Sequence, residues 1–244
     1  VSLVLKRYSR IVDGLSHVSF GALSIPVAAG WSPLKVSIPL VVLAAFFLLR
    51  ITEHGKVKSD AAIAMISASS LAVGIIVTSL TTGMTTDVSS YMFGSILAMS
   101  REDVILSAVL SIIVLCLFVF CYNKLFAVTF DENFAKATGV NVELYNVLIA
   151  VLTAVTIVLG MRMMGAMLIS SLIIFPALTA MRIFKSFRGV VICSGVLAVV
   201  CFLFGIIFSY GCSTPAGASV VLVNLAAFIV FSVVQSVLMR VTKK

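Results

Sequence analysis

The sequence predicts an all-α, polytopic transmembrane helical bundle, on three observations. Of its 244 residues 61% are apolar and 11% charged, and the mean hydropathy is +1.24, too little polar surface to cover a soluble globule of this size. The apolar residues come in helix-length runs without the alternation of outer-membrane strands. Most of the 17 basic residues, which with 9 acidic ones give a net charge of +8, gather in alternate connections between those runs.

Eight runs approach the ~20 residues needed to cross the hydrocarbon: 11–30, 34–51, 61–82, 103–123, 144–160, 163–182, 190–210 and 217–239. Between the third and fourth, Tyr91 to Met99 is apolar but too short to cross, and reads as a re-entrant or interfacial helix. With residues 1–10 cytoplasmic, 14 of the 17 basic residues fall on the inner side, and only Lys35, Arg101 and Arg162 fall outside. The positive-inside rule thus supports the span count and a cytoplasmic C-terminus. The charge is accounted for by topology, which removes the case for nucleic acid. Residues 1–244 read as one transmembrane domain with a cytoplasmic loop at 130–143. Val1 to Leu5 is apolar and leads directly into Lys6-Arg7, as if a further span preceded it.

The first run carries Asp13-Gly14-Leu15-Ser16-His17, a carboxylate and an imidazole at i and i+4, on one helix face. Gly21 and Ser24 continue the stripe, with Ser16 beside it. His17 lies 11 residues beyond Lys6, about 16 Å along a helix and so near mid-bilayer. Ionisable groups at that depth cost roughly 2.5–3.5 kcal/mol on insertion scales and normally turn toward partners or a water-filled path. Carboxylate oxygen and neutral imidazole nitrogen are also ligands that zinc and manganese accept. The competing reading pairs Asp13 with Arg10 at the interface and hydrogen-bonds His17 to a neighbouring carbonyl.

Phe130 to Glu143 is a polar helix-turn pattern closing at Gly139, with Phe130, Phe134, Ala135 and Thr138 on one side, suited to a groove on a partner. An ordinary amphipathic interfacial loop would look the same. The sixth run combines Gly165, Ala166, Ser170, Ser171 and Ala177 with Pro176. Its missing N–H makes it a candidate pathway lining, or simply a close-packed helix. Arg162, Met161, Met163 and Met164 cluster at the outer end of that run. The five cysteines form no C-x-x-C pair. No nucleotide-cradling G-x-x-x-x-G-K-[ST] loop, H-E-x-x-H or G-x-S-x-G occurs, so the chain is not itself an ATPase and no enzyme activity is expected.

Taken together, Lys6-Arg7 followed by Asp13-Gly14-Leu15-Ser16-His17 and Gly21, Tyr91-Met92-Phe93-Gly94, Phe134 to Gly139, Met164 to Ala177 and Pro215-Ala216-Gly217 resemble the zinc/manganese/iron permease family of binding-protein-dependent ABC importers. The resemblance implies a homodimeric permease in a bacterial-type cytoplasmic membrane. It also implies a cytoplasmic ABC ATPase that binds the ATP and an extracytoplasmic solute-binding protein that delivers the metal. Asp13 and His17 would contact the metal, and Ser16, Gly21, Ser24, Gly165, Ser170 and Pro176 are candidates to line the path. Phe134, Ala135, Lys136, Ala137, Thr138 and Gly139 would couple to the ATPase. No permanently bound cofactor is implied; the metal is cargo, zinc by overall likeness, with manganese or ferrous iron as alternatives. The family usually carries one more N-terminal span. Two readings of other classes remain: a proton-coupled secondary transporter using Asp13 and His17 as a relay, and a membrane scaffold.

Overall fold

The computed structural model describes residues 1–6, 9–54, 59–82 and 101–242. Among them every regular element is helical: α1 Ser2–Leu5, α2 Ser9–Ala28, α3 Pro33–His54, α4 Ser59–Thr82, α5 Arg101–Phe120, α6 Tyr122–Phe130, α7 Glu132–Ala137, α8 Val142–Met164, α9 Ala166–Ile183, α10 Phe187–Cys212 and α11 Ala216–Thr242. Seven are long and apolar enough to cross a membrane, and an eighth if α5 and α6 count as one broken span. The short apolar segment Tyr91 to Met99 lies outside the described residues.

Two boundaries differ from the sequence expectation. The fourth run does not continue straight to residue 123: α6 turns from α5 by 69°. No proline or glycine marks this break; the apolar run gives way there to Tyr122-Asn123-Lys124, and the polar residues take the chain out of the direction of the span. Arg162, Met163 and Met164 end α8 rather than begin α9. The helices are separated by Gly165 alone, at φ 84 and ψ 165, a conformation essentially restricted to glycine.

The helices fall into two compact units, Ser2–Ala166 and Met167–Lys244. In the first, α2 is the central helix, packed against α3, α4 and α8. It is 72% buried over its spanning window, against 17–44% for the other spans. Its fit to α4 depends on small residues. A Cβ at Gly21 would stand 2.5 Å from the Ser70 carbonyl oxygen, and one at Gly74 would stand 2.5 Å from the Phe20 ring. Buried Phe20, Leu23, Met161 and Ala166 cluster there, with Leu71 against them. Ser37 of α3 donates to the Ala22 carbonyl of α2 at 2.9 Å.

The connection from α6 to α8 is closed by local chemistry. Asp131 caps α7, its side chain accepting from the Asn133 and Phe134 amides at 2.9 and 3.0 Å. At the other end Val140 N–H donates to the Ala135 carbonyl and Gly139 N–H to that of Lys136, with Gly139 at φ 81. This paired pattern is a Schellman cap. Ala135 is thereby buried beside Val128 and Val142. Asn141 then caps α8 through the Leu144 amide. Beneath the loop, the Lys6 Nζ donates to Glu132 Oε1 at 2.8 Å and to Asn146 Oδ1 at 2.5 Å.

In the second unit α10 lies along α11, and a Cβ at Gly205 would meet the Val220 Cα at 2.5 Å. Phe175 of α9 meets Phe228 of α11 edge-on at 6.2 Å, with the Arg182 guanidinium 5.8 Å from the same ring.

Because the atom facing Gly21 belongs to the backbone, Gly21→Ala should lower stability by about 1–3 kcal/mol, the usual range for overpacking. Exposed Gly195, with nothing within 4 Å of its added Cβ, should accept Ala without loss. Thermal unfolding of both variants in detergent checks this. A second expectation concerns Glu132. Burial pushes its carboxyl up, but the Lys6 hydrogen bond and charge, helped by Asn146 and Lys136, outweigh that and hold it below its ordinary value. A depressed carboxylate contributes stability that is present above the unfolded pKa and lost as pH falls through the folded one. The Glu132 side chain is 44% exposed, so screening keeps the effect modest. Acidification through the carboxylate range should therefore lower the unfolding midpoint of the unchanged protein more than that of Glu132→Gln.

Candidate functional site

Between Ile11 and Ser24 the packing of α2 buries every residue except two, Asp13 and His17. Asp13 is exposed and His17 half-buried. Four residues apart, they share one helix face, the least buried strip of this stretch. Sterics on the other sides produce this result: Gly14 and Gly21 bring α4 against the helix, and Val12, Leu15 and Val18 are buried in the core.

Arg10 does not pair with Asp13. Its guanidinium Nη1 meets Oδ2 of Asp60, in the first turn of α4, where a carboxylate is also favoured by the positive end of the helix dipole. Among the described residues Asp13 makes no ion pair, and His17 has a buried Nδ1 without a hydrogen-bond partner. The carboxylate oxygens and an imidazole nitrogen therefore remain uncommitted on one face. No group of three or more His, Cys, Asp or Glu side chains converges among the described residues. Two side chains are fewer than the four ligands that zinc takes in structural sites.

The other candidate positions have different surroundings. The Ser16 hydroxyl donates to the Val12 carbonyl at 2.9 Å and that of Ser24 to the Gly21 carbonyl at 2.8 Å, both buried. Such back-bonding satisfies a hydroxyl within its own helix. Gly21 lies against the Ser70 backbone. Gly165 forms the joint between α8 and α9, Ser170 is half-buried on α9, and Pro176 is buried two turns further along. On α7, Ala135 is buried while Phe134, Lys136 and Ala137 are exposed, followed by exposed Thr138 and Gly139. Phe126 and Phe130 of α6 are exposed as well, their rings 4.8 Å apart.

Sequence reasoning missed the junction of Lys6, Glu132 and Asn146. The Lys6 side chain is only 5% exposed, and Asn146 Nδ2 also reaches Glu132 Oε1 at 3.4 Å. The available signal was Asn146 itself, an amide within an apolar run that must find partners when buried.

The profile of the ABC 3 transport family matches residues 1–235. The chain is 27% identical over 229 residues to the high-affinity zinc uptake system membrane protein ZnuB of Haemophilus influenzae, covering 94% of this chain and 88% of that protein. It is 29% identical over 228 residues to the manganese import system permease protein ScaB of Streptococcus gordonii, covering 93% and 82%. A solved structure of PsaBC from Streptococcus pneumoniae in complex with Fab superposes with a TM-score of 0.84 at 29% identity, over 94% of this chain and 83% of the one compared. With a family match over nearly its whole length and a helical bundle that superposes on a solved relative, the chain belongs to the ABC 3 transport family, as a multi-pass membrane transport subunit whose ATP hydrolysis is carried by a separate ATPase.

Proposed function

We propose that this chain is the permease of an ATP-driven importer of a divalent transition metal, zinc in the first instance, with Asp13 and His17 holding the ion in transit. The observation that carries the reading is the uncommitted carboxylate–imidazole pair on one face of α2. An uncompensated carboxylate facing hydrocarbon would cost roughly 2.5–3.5 kcal/mol. A second copy presenting the same pair across a two-fold axis would remove that cost and supply two carboxylates and two imidazoles, enough for a tetrahedral zinc. A shared site divided between protomers also suits transport, because a closed cage within one chain would retain the ion. Manganese and ferrous iron are the alternative cargoes; relatives named for zinc and for manganese are similarly close.

In this reading the Lys6 end of α2 and the C-terminus are cytoplasmic, as the distribution of basic residues favours. The exposed side of α7, with Phe134 as its apolar anchor, seats on the ATPase. An extracytoplasmic binding protein delivers the metal at the other mouth. ATP-driven closure of the ATPase pair moves the helices that carry Asp13 and His17, exposing the ion to each side in turn. The ATP stays on the partner, and no resident cofactor is needed.

The test is uptake of labelled zinc into vesicles carrying the permease, its ATPase and its binding protein, with manganese and iron as competitors. Zinc uptake should require ATP. Asp13→Ala and His17→Ala should each reduce it by more than about 100-fold, beyond what loss of an outer-shell partner costs a metal site, with membrane assembly unchanged. Retained uptake in both variants would sink the site assignment. Uptake that needs no ATP would favour proton coupling, and absence of metal uptake a scaffold.

A further inference from the structure

A short route connects the exposed loop helix to the helix that carries the metal pair. Lys6 precedes α2 by three positions. Its ammonium is buried and held between Glu132, the first residue of α7, and Asn146, in the early turns of α8. A buried ammonium is strongly disfavoured unless paired and hydrogen-bonded, so Lys6 stays with these partners. The α7 helix is six residues long and of these buries only Ala135. Glu132 is therefore its charged attachment to the bundle among the described ion pairs. Along the chain, Asp13 is seven residues beyond Lys6.

We propose that Lys6 is a positioning residue of the transport cycle: through its bond to Glu132 it transmits displacement of α7 to α2, and so moves Asp13 and His17. This rests on the importer reading above and names the tie by which that importer couples ATP to metal movement. Asn146 suits the role because its amide both accepts from Lys6 and donates toward Glu132, so it bridges the pair while α7 and α8 shift relative to each other. The contact is charge-assisted and its Lys6 end is buried, so the ammonium stays with its partners although the Glu132 side chain is part-exposed.

The test measures ions imported per ATP hydrolysed in the complete complex of permease, ATPase and binding protein. Lys6→Met and Glu132→Gln should lower this ratio at least about five-fold, the lower end of typical coupling between sites, while ATP hydrolysis continues and the ATPase still co-purifies. Exchanging the charges, Lys6→Glu with Glu132→Lys, should restore much of the ratio, since Asn146 serves either polarity. An unchanged ratio in both single variants overturns the proposal. So does a parallel fall of uptake and hydrolysis that the exchange fails to rescue, because a structural defect alone would give it. Should Lys6→Met not assemble, the near-isosteric Glu132→Gln and the exchanged pair decide the matter by the same ratio. In the same vesicles Asp13→Ala separates the two claims: it removes uptake with the Lys6–Glu132 bond intact. If the unchanged complex imports no metal with ATP, the importer reading fails, and the coupling role fails with it.

Discussion

The close approach of α4 to α2 is the constraint on which the rest of the first unit depends. Gly14, Gly21 and Gly74 leave no room for a β-carbon between the two helices: Gly21 lies on the Ser70 backbone, Gly14 on the Ile63 side chain and Gly74 on the Phe20 ring. In a bilayer, where apolar tails solvate Leu as well as another helix does, such close van der Waals contact is a main source of helix association. With α3 and α8 also packed on it, α2 buries every residue from Ile11 to Ser24 except Asp13 and His17. The helix that carries Asp13 and His17 is thereby the most buried of the candidate spans, 72% over its spanning window.

The same packing decides which polar groups remain available. Several hydroxyls carried into the apolar interior find an acceptor in the preceding turn of their own helix: Ser16 on Val12, Ser19 on Leu15, Thr78 on Gly74, Thr153 on Ile149. These groups are satisfied before any ligand arrives. Asp13 and His17 differ because neither can be absorbed in that way, and Arg10, one turn before Asp13, is drawn to Asp60. At the Lys6 end the opposite solution holds: a buried ammonium is matched by a carboxylate and an amide from separate elements, locking the start of the chain to the loop between α6 and α8.

How much was legible beforehand follows from the range of each signal. Span positions were readable because the requirement for about twenty apolar residues is local and strong. The end of α7 at Gly139 was readable because a left-handed cap favours glycine. The turn between α5 and α6 was not, since no proline or glycine announces it and polarity alone shifts there. Nor was the end of α8, where Arg162, Met163 and Met164 read equally well as the start of the next span until Gly165 was seen at positive φ. The pairing of Lys6 with Glu132 joins residues more than a hundred positions apart, and no local pattern encodes it.

By itself, the sequence determined that the chain is a membrane-spanning helical bundle, where its spans lie, and that Asp13 and His17 share a helix face, because hydrophobic length and helical period are properties of consecutive residues. Only the tertiary structure decided that this face is the least buried one, that Gly21, Ser16 and Ser24 are taken up by packing and back-bonding, and that Arg10 turns to Asp60 while Lys6 turns to Glu132. Those outcomes depend on which neighbour reaches a side chain first, and the neighbours are supplied by helices distant in sequence.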